Sequence, residues 1–252
     1  MIPSASYFEK RRQEFMNEPF KNAQERFEFQ LPLNQWGKYC EATLQERRGK
    51  YHVNRAVITV AEALFKSVGQ GQVRRSDGQP VQIVLWRGGV DHIEADAAVN
   101  AANETLLGGG GVDKAVHDAA GHLLVKECAF LNGCEVGEAK ITKGYDMPAK
   151  YVLHTVGPIL NDDGTPNPEA LASCYRSCLK LSEENGLTSV VFPCISTGYY
   201  GFPIDLSAKV ALETTTEYMK TKGKCLKTII FALFEEAQVK AYKNSIFEVV
   251  TS

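Results

Sequence analysis

Residues 100–117 combine amide, carboxylate and imidazole side chains with a run of four glycines. The stretch reads NAANETLLGGGGVDKAVH, with Asn100 and Asn103 before the glycines and Asp113 and His117 after them. Four consecutive glycines permit unusual backbone conformations and let a ligand approach the main chain closely. Asp113 and His117 are four residues apart, so on a helix they lie on one face, one turn apart. These residue types indicate a polar pocket that suits a sugar, beside a site for an anion.

A second glycine-containing loop follows a predicted strand further along the chain. It reads STGYYGFP over residues 196–203, and it ends close to a predicted helix start. Backbone N–H groups in such loops, together with a helix N-terminus, bind phosphate oxygens. Two such loops facing each other would hold a diphosphate. Known phosphate motifs do not fit, because GGGGVDK lacks the spacing of the P-loop and the hydroxyl after Lys114, and four glycines satisfy the Rossmann fingerprint only trivially.

Each of these features also has a simpler interpretation when it is taken alone. The glycines are compatible with a flexible surface turn, Asp113 with a helix cap, and His117 with a half-buried polar residue. The combination of all of them with Asn100 and Asn103 favours the pocket.

Short apolar runs of strand character alternate with helical stretches after residue 80. The runs are VQIVLW (81–86), AAVN (97–100), AKITKGY (139–145), KYVLHTVG (150–157), SVVFPCI (189–195) and LKTIIFALF (226–234), and the predicted helices cover residues 113–126, 168–185, 205–221 and 236–248. This alternation predicts an α/β fold with a mixed, largely parallel sheet between helices. Ligands bind beyond the carboxyl ends of such strands. Because AAVN and SVVFPCI lead into the two glycine loops, we expect one shared cleft.

The first 80 residues differ from the rest of the chain. Residues 7–66 are rich in charges with helical spacing, and SVGQGQVRRSDGQP, residues 67–80, has the composition of a turn-rich linker. We therefore predict a helical N-terminal extension and linker over residues 1–80 and a second domain over residues 81–252. Trp36 is expected to anchor the extension to that domain.

Composition and charge restrict the partners. The 252 residues carry a formal net charge of −2, with +4 over residues 1–80 and −6 over residues 81–252. An acidic second domain is not a general binder of polyanions, so we expect no nucleic acid partner and a phosphate site built from backbone dipoles. No apolar run approaches the roughly 20 residues that span a bilayer, so we expect no membrane association.

The cysteines indicate a reducing environment. There are seven, an odd number, and no basic-then-apolar signal sequence precedes them. We therefore expect free thiols in an intracellular protein, cytoplasmic or nuclear, with mitochondrial import left open. Cys174 and Cys178 lie four apart without a second pair, which favours packing over a metal site. We expect no metal, no cofactor and a monomer.

Several long motifs together resemble one known family. VNAANETLLGGGGVDKAVHDAAG, residues 99–121, resembles the signature of the macrodomain family, specifically its MacroD-type branch. The resemblance continues through LNGCEVGEAKITKGYDMPAKYVLHTVGP, CYRSCLKLSEENGLTSVVFPCISTGYYGFP and TIIFALFEEAQVKAYK, and so covers about residues 81–245. The stretch TLQERRGKY, residues 43–51, more weakly resembles the helical N-terminal extension of that branch. The resemblance implies a three-layer α/β/α sandwich that binds ADP-ribose, with the macrodomain over residues 81–252.

By position, the resemblance also implies roles for individual residues. Asn103 corresponds to the asparagine that holds the distal ribose, and Asp113 and His117 correspond to the catalytic aspartate and its companion histidine. The residues expected to contact the phosphates and ribose are Asn100, Ala102, Gly108, Gly109, Gly110, Gly111, Val112, Ser196, Thr197, Gly198, Tyr199, Tyr200 and Gly201. Phe234 corresponds to the aromatic residue near the adenine, where stacking contributes roughly 1 kcal/mol or more.

One position departs from the family pattern. The family reads GDI after its first core strand, with the aspartate accepting a hydrogen bond from the adenine amino group, whereas this chain has Gly89 there. Losing a charged acceptor costs roughly 1.5 to 3 kcal/mol of binding unless another group replaces it. The candidates to replace this acceptor are Asp91, which is two residues away, a water molecule and a backbone group. We expect adenine to bind through Phe234 and the Val90 backbone amide, with weaker discrimination between bases.

The activity implied by the resemblance is hydrolysis of mono-ADP-ribose from Asp and Glu side chains of modified proteins, together with deacetylation of O-acetyl-ADP-ribose. Either Asp113 or a substrate phosphate serves as the base for the attacking water, and the sequence does not choose between them. Two alternatives use the same pocket: a non-catalytic reader of ADP-ribosylated proteins, and a phosphatase acting on ADP-ribose 1''-phosphate. His154, inside YVLHTVGP, is interpreted as a satisfied strand histidine and not as a catalyst.

Overall fold

A mixed sheet of seven strands forms the centre of the molecule. The computed structural model describes residues 4–51 and 56–250. Its strands are β1 (Ile58–Thr59), β2 (Gly69–Arg74), β3 (Pro80–Arg87), β4 (Ile93–Glu94), β5 (Ala97–Ala102), β6 (Ala139–Lys143), β7 (Tyr151–Val156), β8 (Ser189–Phe192) and β9 (Thr228–Leu233). The large sheet has the order β2-β3-β9-β8-β5-β7-β6, and β1 and β4 form a separate parallel pair.

Helices cover both faces of this sheet and precede it along the chain. They are α1 (Ala5–Asn17), α2 (Ala23–Gln30), α3 (Leu33–Ala42), α4 (Leu44–Tyr51), α5 (Val60–Phe65), α6 (Gly111–Ala120), α7 (His122–Leu131), α8 (Pro168–Glu184), α9 (Ile204–Lys222) and α10 (Glu236–Val250). Among the described residues, none of these helices combines the length and apolarity that crossing a bilayer requires. The predicted three-layer α/β/α architecture is confirmed.

The central strands are parallel, and their side chains are buried on both faces of the sheet. The strands β3, β9, β8, β5 and β7 run parallel to their neighbours, and only the edge strands β2 and β6 pair antiparallel. All residues of β7, β8 and β9 are buried. Helices on both faces of a sheet require such continuous apolar runs. The carboxyl ends of the five parallel strands therefore lie along one edge of the layer.

The predicted linker over residues 67–80 is wrong for its central part. Residues 69–74 form β2, which pairs with β3 from Gly69 opposite Leu85 to Arg74 opposite Pro80. Only Val73 of this strand is buried, so an edge strand leaves no apolar run in the sequence. The sheet thus begins before residue 81, and the proposed division of the chain at residue 80 stays a prediction.

The predicted helix over residues 113–126 is two helices. Gly121 separates α6 from α7, with φ 79°, a left-handed conformation that ends the first helix. Its N–H donates to the carbonyl of His117 at 3.0 Å. Apolar periodicity continues through the break, and so the sequence pattern alone does not mark it.

The N-terminal helices are held against the sheet by buried polar groups as well as by apolar packing. Trp36 on α3 is 1% exposed, and its Nε1 donates to the carbonyl of Lys150 at 2.6 Å, which confirms its predicted role as an anchor. Lys143 on β6 donates from Nζ to the carbonyls of Glu28 and Leu31 at the end of α2, each at 2.9 Å. Residues 52–55, which the sequence analysis placed in this helical extension, lie outside the described residues.

Candidate active site

A cavity of about 630 Å³ opens at the carboxyl ends of β5, β7 and β8. Its walls are Ala101, Ala102, Asn103, Gly109, Gly110, Gly111, Val112, Asp113, Gly157, Cys194, Ser196, Gly198, Tyr199 and Tyr200. Both predicted glycine loops therefore contribute to the same cavity. The expectation of one shared cleft is confirmed.

The first glycine loop brings the main chain close to two polar side chains. A Cβ on Gly109 would lie 2.9 Å from Asp113 Oδ2 and 3.1 Å from Asn103 Nδ2, so a side chain there would press on both. Asn103 Nδ2 donates to the carbonyl of Gly108 at 3.0 Å and fixes the loop from inside. Gly110 is the N-cap of α6 and provides no side-chain cap, so the first N–H groups of α6 remain free for an anion.

Asp113 lies in the first turn of α6 and is 2% exposed. Its Oδ1 accepts a hydrogen bond of 2.7 Å from Asn100 Nδ2 on β5, and His117 Nε2 lies 3.4 Å from the same oxygen. The spacing of four residues on α6 brings His117 over Asp113, as the sequence predicts. One carboxylate oxygen thus faces the protein.

Three other polar atoms of this group make no hydrogen bond within the described residues. Within the described part of the chain, Asp113 Oδ2, Asn100 Oδ1 and His117 Nε2 are buried and accept or donate no hydrogen bond. Ser196 Oγ, on the second loop, is in the same state among those residues. Buried polar groups are normally paired, because leaving one unpaired costs about 1 to 3 kcal/mol. Asp113 and Ser196 line the cavity, so a bound molecule can supply the missing partners.

The second loop contains a residue with strained backbone and is closed by its own hydrogen bonds. Ser196 has φ 65°, a left-handed conformation that is uncommon for a residue with a side chain. Its carbonyl accepts from Phe202 N at 3.0 Å, and Thr197 Oγ1 donates to the carbonyl of Cys194 at 3.0 Å. A Cβ on Gly157 would lie 2.1 Å from Ser196 Oγ, so the residue that follows β7 must be glycine for Ser196 to keep its place.

Two tyrosines form the outer wall of the second loop. Tyr199 is fully exposed, whereas Tyr200 is half-buried. Burial raises the pKa of Tyr200, and the nearby carboxylates of Glu104 and Asp113 raise it further. The Tyr200 hydroxyl therefore stays protonated beside the site at neutral pH.

The structure separates the predicted site residues into two groups. Eleven of them line the cavity, and eight lie outside its wall: Gly89, Val90, Asn100, Gly108, His117, Thr197, Gly201 and Phe234. Asn100 and His117 contact Asp113, which does line the cavity. Gly88 N donates to the carbonyl of Leu233 at 3.0 Å, which places Gly89 beside Phe234 at the ends of neighbouring strands. The roles of all nineteen residues stay predictions.

Sequence reasoning missed three residues of the cavity wall, namely Ala101, Gly157 and Cys194. Gly157 had a usable signal, because it ends a predicted strand at the same edge of the sheet as the glycine loops. Cys194 directly precedes the second loop, but burial raises the pKa of its thiol to about 12, so it remains a neutral wall residue. No group of three or more His, Cys, Asp or Glu residues within the described ranges can hold a metal ion.

The departure at Gly89 has a structural counterpart. A Cβ on Gly89 would lie 2.5 Å from Asp91 Oδ1, so the Asp91 carboxylate occupies the space in which a side chain on residue 89 would begin. Gly89 caps the short 3₁₀ turn Val90–His92, and its carbonyl accepts from His92 N at 3.1 Å. Phe234, directly after β9, is 76% exposed, so its ring is open to a ligand.

Comparison with known proteins identifies relatives along most of the chain. The family model of the Macro domain matches residues 99–211, which include both glycine loops. The chain is 47% identical over 222 residues to mouse ADP-ribose glycohydrolase MACROD2, covering 84% of this chain and 47% of that protein. It is 47% identical over 165 residues to a Macro domain-containing protein of Mesorhizobium japonicum, covering 66% of this chain and 93% of that protein.

A solved structure shows the same similarity over the N-terminal helices. The Trypanosoma brucei macrodomain in complex with ADP-ribose has a TM-score of 0.76 at 36% identity, with 98% of this chain and 97% of that chain covered. By contrast, the chain spans about half the length of the mouse and human MACROD2 proteins, 47% and 52%. The similarity to MACROD2 therefore describes one part of those proteins.

Proposed function

Since the chain belongs to the macrodomain family, as its sequence motifs predict, we propose that it is a hydrolase that binds ADP-ribose and removes mono-ADP-ribose from Asp and Glu side chains of modified proteins. The same site would deacetylate O-acetyl-ADP-ribose, because both reactions cleave an ester on the distal ribose. The relative MACROD2 is named an ADP-ribose glycohydrolase, and the crystal structure of the Trypanosoma brucei macrodomain holds ADP-ribose.

One observation carries the proposal of an enzyme rather than a binding module. Asp113 is buried at the cavity wall with Oδ1 held by Asn100 and with Oδ2 unpartnered among the described residues. A carboxylate that is free on one side and fixed on the other can orient a water molecule against an ester. A binding module does not require a carboxylate fixed in this way, and leaving Oδ2 unpaired costs stability in the free protein.

The cavity wall and the strand ends beside it offer partners for the rest of the ligand. The first N–H groups of α6 and the second loop supply donors for a diphosphate without a basic side chain. Asn103, at the cavity wall beside Gly109, is positioned for ribose hydroxyls. Phe234 and the Val90 amide, near the ends of β9 and β3, are proposed to hold the adenine.

The chemistry requires one water and one proton acceptor. Water attacks either the ester carbonyl or the anomeric carbon of the distal ribose, the ester C–O bond breaks, and the modified carboxylate and free ADP-ribose leave. Asp113 Oδ2 and a substrate phosphate are both candidate bases for that water. His117, 3.4 Å from Asp113 Oδ1, steers either the ribose or the carboxylate.

The decisive experiment measures turnover and binding on the same variant. A mono-ADP-ribosyltransferase that has modified itself on Asp or Glu is incubated with the protein, and release of free ADP-ribose is followed. Asp113→Ala is expected to lose turnover far more than it loses ADP-ribose affinity, which calorimetry measures. Equal losses in both quantities would show that Asp113 only binds the ligand.

Two alternatives give different results in the same assays. A reader binds ADP-ribose and the modified transferase but releases nothing. A phosphatase liberates inorganic phosphate from ADP-ribose 1''-phosphate faster than it liberates ADP-ribose from the modified protein. Neither alternative has an observation of its own in its favour.

We also propose an intracellular location and a monomeric state. The location rests on the seven cysteines, which are all free thiols, five of them buried. The partners of the protein would be proteins that carry mono-ADP-ribose on acidic side chains. Cell fractionation and sedimentation of the purified chain test these two points.

A further inference from the structure

His154 is a fully buried histidine on the strand next to the site. It lies on β7 directly opposite Asn100 of β5 in the parallel register. Its Nδ1 is 3.2 Å from Asn100 Nδ2, and its Nε2 is 2.8 Å from Thr142 Oγ1 on β6. Both ring nitrogens therefore have a partner, as expected for a satisfied strand histidine. The partner on one side is the amide that holds Asp113.

The positions of the hydrogens in this group follow from the distances. Asn100 must direct its NH₂ towards Asp113 Oδ1 at 2.7 Å, because its carbonyl oxygen would repel the carboxylate there. The second hydrogen of the same NH₂ then points at His154 Nδ1, which must be the unprotonated acceptor. The single ring proton consequently sits on Nε2 and is donated to Thr142 Oγ1.

We propose that His154 is a positioning residue for the hydrolysis: by accepting the second hydrogen of the Asn100 amide it fixes that amide, and through it the Asp113 carboxylate, so that Oδ2 faces the cavity. The proposal rests on the proposed function. It assigns to β7 and β6 a part in the reaction, although neither His154 nor Thr142 lines the cavity. A chain of four side chains thus runs from Thr142 through His154 and Asn100 to Asp113.

The surroundings keep the ring neutral, which the arrangement requires. Burial, together with the neighbouring His117, lowers the pKa of His154 to about 3, and Asp113 acts in the opposite direction. Cys128 Sγ lies 3.6 Å from Nε2, and burial raises the pKa of that thiol, so it adds no charge. A charged ring would carry a proton on Nδ1 and could not accept from Asn100.

The tautomer is directly observable in the unmodified protein. Long-range ¹H–¹⁵N NMR spectra of the wild-type protein distinguish the two neutral tautomers and the charged form of each histidine. We expect His154 to show a protonated Nε2 and an unprotonated Nδ1 that do not change between pH 5 and pH 8. A proton on Nδ1, or a titration in that range, would overturn the proposal without any mutation.

The kinetic test uses variants that differ in one hydrogen-bond acceptor. His154→Phe keeps a ring of similar size and removes the acceptor, whereas His154→Asn places its Oδ1 near the position of Nδ1 and can accept from Asn100. We expect His154→Phe to lower kcat at least tenfold with a change in ADP-ribose affinity below about threefold, and His154→Asn to recover most of kcat. Equal kcat values for wild type and His154→Phe, or for the two variants, would refute the positioning role.

A milder change covers the case in which His154→Phe does not fold. Thr142→Val keeps the shape of the side chain and removes the acceptor of the Nε2 proton, so only the Asn100 amide still favours the Nε2-protonated tautomer and the preference becomes weaker. We expect the NMR signals of His154 to shift towards a mixture and kcat to fall in parallel. A mixture with unchanged kcat would contradict the proposal. Failure of the proposed function has a separate signature, because the wild-type protein itself then releases no ADP-ribose.

Discussion

Gly109→Ala is the substitution whose effect follows most directly from the geometry of the site. A methyl group on residue 109 would lie 2.9 Å from Asp113 Oδ2, whereas an ordinary contact begins at 3.4 Å. Asp113 cannot simply turn away, because Asn100 holds its other oxygen at 2.7 Å. We therefore expect the methyl group to displace the carboxylate by about 0.5 Å while the protein stays folded.

The size of the effect can be worked from that displacement. A misplacement of about 1 Å in a reacting group costs about 100-fold in rate, so half of it corresponds to about tenfold, or about 1.4 kcal/mol of activation free energy. Asn103 Nδ2, at 3.1 Å from the same methyl group, adds to the loss through ribose positioning. We expect kcat to fall about tenfold or more, with a smaller change in the affinity for ADP-ribose.

The assay needs a comparator from the same loop. Gly110→Ala adds the same methyl group next to Gly109, at φ −106° and with no atom within 4 Å of the new Cβ. Release of ADP-ribose from a modified transferase and calorimetric affinity are measured for both variants. If Gly109→Ala loses no more kcat than Gly110→Ala, the loss comes from a stiffer loop and the contact with Asp113 has no role.

Three further predictions concern the anchor, the buried histidine and the adenine end. Trp36→Phe removes the 2.6 Å hydrogen bond to the Lys150 carbonyl, and urea unfolding should show that the unfolding free energy falls by about 1 to 2 kcal/mol. An unchanged unfolding free energy would show that this hydrogen bond does not anchor the N-terminal helices. The folded-state pKa of His154, about 3, lies below its unfolded value near 6.5, so its contribution to stability is present above pH 6.5 and is lost as the pH falls towards 3. From pH 7 to pH 5 the unfolding free energy should drop by about 2 kcal/mol more in wild type than in His154→Asn. Gly89→Asp alone should not raise ADP-ribose affinity, because its carboxylate would share a site with Asp91. The double variant Gly89→Asp, Asp91→Ala should bind ADP-ribose about tenfold more tightly than Asp91→Ala alone. Calorimetry should also show that the double variant discriminates against the hypoxanthine analogue.

Local sequence patterns predict the parts of this molecule that depend on local rules. The buried parallel strands leave continuous apolar runs, and the glycine loops follow two of them directly, so the shared cleft is predictable. The edge strand β2 buries only Val73 and therefore has no such signal. The helix break at Gly121 depends on a left-handed backbone that a single glycine permits but does not require.

The contacts between distant residues are the part that a pattern does not contain. Lys143 and Trp36 have no local signal for their partners, which are more than 100 positions away. The same holds for His154, whose meaning depends on lying opposite Asn100 in the register of two strands. YVLHTVGP read alone supports a satisfied histidine, and only the pairing shows that one of the groups satisfying it also holds Asp113.

The N-terminal helices and the Asp113 carboxylate, which we propose to be catalytic, are therefore connected by contacts through the edge of the sheet. The edge strand β6 contacts α3, and Lys143 on β6 caps the end of α2. An uncovered edge strand is the part of a sheet that frays or pairs wrongly. If β6 frays, Thr142 loses its place beside His154, and the acceptor that fixes Asn100 is released. Removing the helical extension should thus lower kcat in the same way as Thr142→Val, by weakening the hydrogen bond between Thr142 and His154. A mixture of His154 tautomers is the common readout of the two changes.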